Sequence, residues 1–137
     1  MVLGGAASGK SATALRLAGS KGPKAFVATG QGLDNEMSSR IARHQATRTP
    51  DWITAEVPIR LTAWFERQGK KYRTIVVDCV TLWLSNLEED KKLGAAITKH
   101  VTELLQAVRR TSARVVIVSN ELGFGLVPVE RSVRAFR

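Results

Sequence analysis

The octapeptide Gly4–Ser11, which reads Gly-Gly-Ala-Ala-Ser-Gly-Lys-Ser, constrains this chain more than any other segment. It fits the pattern G-x-x-x-x-G-K-[ST], in which a glycine-rich loop between a strand and a helix wraps backbone N–H groups around phosphates. Residues 1–3 can end a strand, and residues 11–18 favour a helix. The helix N-terminus adds partial positive charge, Lys10 can reach the outer phosphates and the Ser11 hydroxyl can bind Mg²⁺. The pattern predicts a nucleoside triphosphate site; a glycine-rich turn that precedes a lysine by chance is the alternative.

Composition predicts one globular domain spanning residues 1–137. This length suffices for one hydrophobic core but not for two. Hydrophobic residues make up 44% and charged residues 24%, as in ordinary soluble proteins. No apolar run is long enough to cross a bilayer, and no signal segment opens the chain. The single cysteine, Cys79, cannot form an internal disulfide, so we expect a cytoplasmic protein.

The net charge of +9 favours anionic partners. Nucleic acid is the first class to consider, but the basic residues are scattered along the chain. No basic stretch carries the aromatic residues that stack on single strands. Because a polyphosphate site also draws on positive charge, we do not expect nucleic acid to be the partner.

Apolar runs and helical patterns alternate along the chain. Such alternation predicts right-handed crossovers and a mainly parallel sheet covered by helices on both faces, a three-layer α/β fold. The predicted elements are a strand over 25–29, a helix from Asp34 to about Gln45, a helix from Pro58 to about Gly69, a strand over 74–78, one long helix carrying Leu93, Ile97, Val101, Leu104, Leu105 and Val108, and a strand over 115–118.

Polar residues collect where the predicted strands end, which is where such sheets bind ligands. Asp78 closes an apolar strand, as the magnesium-side carboxylate of P-loop enzymes does; its alternative role is to cap the following helix. Cys79 is interpreted as a small core residue, because nothing nearby in sequence favours its thiolate. Glu121 can assist Mg²⁺, orient a substrate hydroxyl or cap the loop that follows, and the sequence does not choose among these roles.

The chain has two histidines with different settings. His100 lies off the apolar stripe of the predicted long helix and is expected to be solvated. His44 shares a predicted helix face with Met37 and Ile41 and has Arg40, Arg43 and Arg48 near it in sequence. A partly buried structural histidine is one interpretation. The other is a nucleophile, since neutral imidazole can attack phosphorus and arginines would favour the neutral ring and steady the phosphate charge.

Several motifs together resemble one family, the bifunctional adenosylcobinamide kinase/adenosylcobinamide-phosphate guanylyltransferases of cobalamin biosynthesis. The resemblance covers essentially the whole chain, and its most specific parts are the Arg-Ile-x-x-His segment and the Asn-Glu-Leu-Gly-Phe-Gly loop. The matching segments are 4–11, 27–31, 34–37, 40–44, Arg48, Trp52, 54–56, 78–87 and 119–128.

The resemblance implies two reactions. A nucleoside triphosphate, ATP or GTP, phosphorylates adenosylcobinamide, and GMP then passes from GTP to the new phosphate, giving adenosylcobinamide-GDP. It implies that His44 carries GMP covalently and that the protein is a homotrimer with a recombinase-like P-loop fold. Mg²⁺ is expected at Ser11 and Asp78, as the phosphate-loop pattern already indicates. The implied nucleotide-binding residues are Gly4, Gly5, Ala6, Ala7, Ser8, Gly9, Lys10, Ser11, Thr29, Gly30, Gln31, Gln45, Ala46, Thr47, Arg48, Glu56 and Asp78.

The chain also departs from the family pattern. Ala7 stands where the family usually has an arginine, which removes one guanidinium from the phosphate site. The sequence ends at Arg137, within a segment expected to be helical, so the domain is expected to be shortened at its C-terminus. Two other functions fit part of the pattern: another P-loop small-molecule kinase, which needs Lys10, Ser11 and Asp78 but no covalent nucleotide, and a recombinase-like ATPase that binds nucleic acid.

Overall fold

The computed structural model describes residues 1–32, 49–123 and 129–130. Five parallel strands form one sheet in the order β1-β5-β4-β2-β3. The strands are β1 (Val2–Gly4), β2 (Lys24–Ala28), β3 (Trp52–Glu56), β4 (Thr74–Asp78) and β5 (Arg114–Asn120). The helices are α1 (Lys10–Ala18), α2 (Leu61–Gln68), α3 (Val80–Glu89), α4 (Lys91–Gly94) and α5 (Ile97–Arg109), and a 3₁₀ turn spans Gly69–Lys71.

Helices cover both faces of the sheet because its central strands are apolar on both sides. On β4, Ile75 and Val77 pack into one core with residues of α2, α3 and α5. Val76, between them, points to the opposite face and packs with Ala14 and Ala18 of α1. Side chains alternate between the faces of a strand, so a run without polar residues has to be buried on both. The predicted three-layer α/β architecture is confirmed.

Side chains of α3 hold the connections that follow β2 and β3. Trp83, which is buried, donates its indole N–H to the Ile59 carbonyl at 2.8 Å. Asn86 donates through Nδ2 to the Thr29 carbonyl at 2.8 Å and to the Pro58 carbonyl at 2.9 Å. One helix therefore positions the carboxyl ends of two neighbouring strands.

The structure corrects two features of the expected helix and strand pattern. The long helix predicted to include Leu93 is wrong, because α4 ends at Gly94 and α5 begins at Ile97. Gly94 lies against the end of α3, where a Cβ would meet the Glu88 carbonyl oxygen at 3.2 Å. The sequence pattern does not predict the strand β3, and it raises the helix α3 only as a segment that Asp78 could cap. The helix predicted from Asp34 to about Gln45 lies outside the described residues.

His100 is less solvated than expected. Its side chain is 25% exposed, and its Nδ1 lies 3.8 Å from the Glu103 carboxylate one turn further along α5.

Among the described helices, none combines the length and the apolar character that crossing a membrane requires.

Candidate active site

The loop between β1 and α1 requires glycine at two positions, for two different reasons. Gly9, the residue before α1, has φ +78°, a left-handed backbone conformation that residues other than glycine rarely adopt. A Cβ on Gly4 would lie 2.8 Å from the Ser8 hydroxyl oxygen. Ala7 also has a positive φ, of 53°. The loop therefore turns back on itself, as the phosphate-binding pattern predicts.

Positive charge gathers where α1 begins. The first turn of α1 contains no acidic residue, so nothing within it offsets the partial positive charge of the helix N-terminus. Lys10, the first residue of the helix, donates through Nζ to the Gly5 carbonyl at 2.5 Å, which brings its ammonium group over the loop. A helix N-terminus and a lysine thus lie together beside the loop, an arrangement suited to phosphate oxygens.

Ser11 and Asp78 meet beside this loop. The Ser11 hydroxyl donates to Asp78 Oδ2 at 2.5 Å, and both residues are partly buried. The alternative role of Asp78, capping the next helix, is not seen: α3 begins at Val80 and Cys79 is its N-cap residue, with no side-chain cap. Two hard oxygen donors fit Mg²⁺, which typically takes one or two protein ligands and completes its shell with phosphates and water. Within the described ranges there is no cluster of three or more residues of the metal-binding types His, Cys, Asp and Glu.

Glu121 reaches the same edge from β5, which lies between β1 and β4. Its backbone N–H donates to the Gly4 carbonyl at 3.0 Å, next to the phosphate loop. Its side-chain Oε1 accepts the Gly123 N–H at 2.5 Å. Of the three roles that the sequence left open, the structure displays the loop cap. The roles in metal binding and substrate orientation stay predictions.

Two buried hydrogen bonds join the Thr29 hydroxyl to the backbone of Cys79, and we call this pair of bonds the clamp. The Thr29 hydroxyl donates to the Cys79 carbonyl at 2.6 Å and accepts the Cys79 N–H at 2.9 Å. Burial raises the pKa of the Cys79 thiol, and the Asp78 carboxylate beside it acts in the same direction. The thiol is 4% exposed, and its surroundings favour the uncharged form, so the interpretation of Cys79 as a core residue is confirmed.

Thr81 was missed by the sequence analysis. Its hydroxyl accepts the Asn120 N–H at 2.7 Å and lies 3.1 Å from the Ser119 hydroxyl. It therefore ties the start of α3 to the end of β5. Its position three residues after Asp78 is the only sequence signal for this role, and a threonine inside a helix is too common to be singled out.

Of the remaining predicted site residues, Glu56, Gly30 and Gln31 are described by the structure, and those between positions 44 and 48 are not. Glu56, Ala28 and Asp78 are in register at the carboxyl ends of β3, β2 and β4, and the Glu56 side chain is exposed. Gly30 follows β2, and a Cβ there would meet Leu82 at 3.4 Å; Gln31 next to it is half-buried. These positions share one edge with the phosphate loop. His44, Gln45, Ala46, Thr47 and Arg48 lie outside the described residues.

Comparisons with known proteins give one consistent result. The family described as cobinamide kinase / cobinamide phosphate guanyltransferase matches residues 1–137. The bifunctional adenosylcobalamin biosynthesis protein CobP of Pseudomonas aeruginosa is 39% identical over 99% of this chain and 79% of its own length. The corresponding CobU proteins of Escherichia coli K12 and Salmonella typhimurium are 34% and 36% identical over all of this chain and 82% of their own length. This chain belongs to the cobinamide kinase / cobinamide phosphate guanyltransferase family.

Proposed function

We propose that this chain is a transferase of adenosylcobalamin biosynthesis that catalyses two reactions. In the first, the hydroxyl oxygen of adenosylcobinamide attacks the γ-phosphorus of a nucleoside triphosphate, loses its proton and displaces the nucleoside diphosphate. In the second, GMP passes from GTP to the new phosphate and pyrophosphate leaves. Family membership over the whole chain supports this assignment, as do relatives named as bifunctional adenosylcobalamin biosynthesis proteins.

The contact between Ser11 and Asp78, beside the loop that carries Lys10, is the observation that supports the chemistry best. Phosphoryl transfer needs charge stabilisation and alignment rather than covalent chemistry from the protein. Backbone N–H groups of the loop would bind phosphate oxygens, and the Lys10 ammonium would neutralise the outer phosphates. Ser11 and Asp78 would hold Mg²⁺, which when bound neutralises phosphate charge further.

We assign the covalent step of the second reaction to His44. A ring nitrogen of His44 attacks the α-phosphorus of GTP, a P–N bond forms and the bond to pyrophosphate breaks. A phosphate oxygen of adenosylcobinamide phosphate then attacks the same phosphorus, so the P–N bond breaks and the imidazole is released. A covalent intermediate divides one transfer between two bulky anions into two displacements, so both need not occupy the site together.

A labelling experiment tests the assignment to His44, with the other histidine as a matched control. Wild-type protein incubated with α-labelled GTP and Mg²⁺ is expected to retain label that is acid-labile and alkali-stable. The variant His44→Ala should retain none and should still phosphorylate cobinamide, whereas His100→Ala, in α5, should label normally. Undiminished label on His44→Ala would rule out this nucleophile and leave the kinase assignment standing.

We also propose that the protein is a cytoplasmic homotrimer. Among the described strands, β1 and β3 lie at the two ends of the sheet order, and each exposes an apolar side chain: Leu3 on β1 is 57% exposed, and Ile53 on β3 is 55% exposed. Exposed apolar residues on such strands are suited to contact with another chain. Light scattering coupled to size-exclusion chromatography should give about three times the chain mass of 15.0 kDa; a monomer at micromolar concentration would contradict the proposal.

A further inference from the structure

A basic groove lies at the amino end of the sheet, opposite the candidate active site. It has a volume of about 380 Å³, and the residues that line it include Lys21, Arg73 and Arg114. Thr74, the first residue of β4, also lines it, whereas Asp78 closes the same strand at the other edge. At about 3.3 Å per residue, the two edges are roughly 13 Å apart along β4. The groove is thus separate from the phosphate loop.

Hydrogen bonds to backbone carbonyls join the three segments that carry these cations. The Arg114 N–H donates to the Arg73 carbonyl at 2.8 Å, and the Arg73 N–H donates to the Pro23 carbonyl at 2.8 Å. The Thr74 hydroxyl donates to the Lys21 carbonyl at 3.4 Å. The three cations therefore belong to segments that are joined to one another at the amino end of the sheet.

The charge around the groove is not balanced by protein groups in the described part of the chain. No acidic side chain lines the groove. Lys21, Arg73 and Arg114 are exposed, and none forms a side-chain hydrogen bond or ion pair with another described residue. The end of α1 nearby supplies about half a negative charge from its carbonyl groups, which is far from neutralising three cations. Like charges around one groove repel one another, and an anion in the groove would offset that repulsion.

We propose that this groove is a second anion site, which binds a small oligophosphate, meaning two or more linked phosphate groups. Guanidinium groups pair with phosphate oxygens through two parallel hydrogen bonds, and two of the residues that line the groove are arginines. One phosphate carries at most about two negative charges, fewer than the three cations, whereas linked phosphates match them. The volume lies within the range of small-molecule sites, about 300–1,000 Å³, and a concave groove favours a small ligand over an extended polymer.

Two sources of this chemistry are distinguishable: free pyrophosphate and the triphosphate tail of a nucleotide. Titration calorimetry with pyrophosphate, and separately with GTP, on the full chain carrying Lys10→Ala would report the groove while the phosphate loop is weakened. Heat from both ligands that is lost in Arg73→Gln/Arg114→Gln assigns the groove to any oligophosphate, and such heat from pyrophosphate alone assigns it to the free anion. If neither pyrophosphate nor GTP binds, the proposal is overturned.

Charge-matched variants separate a site from general attraction. In the Lys10→Ala background, the double substitution Arg73→Gln/Arg114→Gln should raise the Kd for pyrophosphate at least tenfold. The control Arg67→Gln/Lys99→Gln removes the same charge from exposed positions outside the groove and should change the Kd less than twofold. Equal losses in the two variants would overturn the proposal, as would a single-stranded oligonucleotide that binds through Arg73 and Arg114 more tightly than pyrophosphate.

Two further measurements keep the result independent of folding and of the proposed function. Thermal melting should show that Arg73→Gln/Arg114→Gln is as stable as the wild type, because both side chains are exposed. The same variant, with Lys10 intact, should still acquire label from α-labelled GTP. Failure of pyrophosphate binding with normal labelling would overturn the groove alone, and failure of labelling in the wild type would overturn the proposed transferase instead.

Discussion

Ser11 and Asp78 are 67 positions apart in sequence, yet the Ser11 hydroxyl donates to Asp78 Oδ2 at 2.5 Å. The parallel sheet explains this contact. β1 and β4 both pair with β5, so their carboxyl ends lie at the same edge. Ser11 is in the first turn of the helix after β1, and Asp78 ends β4. The oxygens of a hydroxyl and a carboxylate are thereby brought together beside the loop that is expected to bind phosphates.

Removal of either oxygen should affect catalysis far more than folding. We expect Asp78→Asn and Ser11→Ala each to lower kcat for cobinamide phosphorylation about a hundredfold or more, because positioned charge supplies most of the catalysis in phosphoryl transfer. The control Glu88→Gln removes the same charge from an exposed position at the end of α3 and should keep full activity. Steady-state kinetics across a Mg²⁺ series checks this prediction; unchanged kcat in Asp78→Asn would contradict the metal role.

Substitution of Thr29 should destabilise the fold through two lost hydrogen bonds. Thr29→Val keeps the shape of the side chain but leaves the Cys79 N–H and carbonyl without their partner in a buried setting. Each buried group left without a partner costs about 1–3 kcal/mol, so the free energy of unfolding should fall by about 2 kcal/mol or more. Urea denaturation measures it. Thr29→Ser retains the hydroxyl and should lose about 1 kcal/mol for one methyl group; a larger loss in the serine variant would contradict the clamp.

Strong local patterns made part of the fold predictable. The strand over 74–78 could be recognised because it is apolar without interruption and ends in Asp78, and α1 because it follows the phosphate pattern directly. The strand β3 could not, since it lies at a sheet edge where Ile53 and Thr54 remain exposed, so that its sequence lacks a strong apolar signature. Edge position is a tertiary property that local composition does not encode.

Parts of the candidate site were hidden for a similar reason. Lys10, Ser11 and Asp78 belong to patterns whose spacing reflects their chemistry, so sequence alone predicted them. Asn86 joins two connecting segments by hydrogen bonds to Thr29 and Pro58, partners 57 and 28 positions away. Such a role depends on which strands become neighbours, and the apolar pattern within α3 does not reveal it.

Cys79 should resist alkylation in the folded protein. The side chain is 4% exposed, and burial raises the pKa of its thiol, so the thiolate that reacts with iodoacetamide is scarce near neutral pH. As the only cysteine, it gives an unambiguous mass shift. We expect little modification at pH 8 in buffer and rapid modification in guanidinium chloride. Fast labelling of the folded protein, or loss of GMP transfer in Cys79→Ala, would contradict its role as a core residue.

Acid should weaken the ion pair between Asp51 and the buried Lys24. The Lys24 ammonium, and after it the Thr49 hydroxyl, hold the pKa of Asp51 below its ordinary value of 3.8. A carboxyl whose pKa is lower in the folded state stabilises the protein fully above 3.8 and loses that contribution as pH falls through the folded-state value. Asp51→Asn should therefore lower the Tm at pH 7, with a gap to the wild type that narrows below pH 3.8.

The control for this pH dependence is Glu66→Gln, which removes an exposed carboxylate on α2. Glu66 forms no ion pair with another described residue. Its variant should track the wild type across the whole pH range. A constant gap between Asp51→Asn and the wild type from pH 7 to pH 2.5 would show that the stabilisation comes from packing rather than from charge.

Ala7 allows a test of how much nucleotide binding the phosphate loop loses without an arginine at this position. The family resemblance places an arginine there, and Ala7 is exposed with φ 53°, so a longer side chain meets no buried neighbour and adds no new backbone strain. We expect Ala7→Arg to lower KM for the nucleotide about three- to tenfold, since a guanidinium pairs closely with phosphate oxygens. Ala7→Gln has similar bulk and the same backbone demand without the charge, and it should leave KM unchanged. An equal improvement in both variants, measured in the kinase reaction at one ionic strength, would show that bulk rather than charge is missing from the loop.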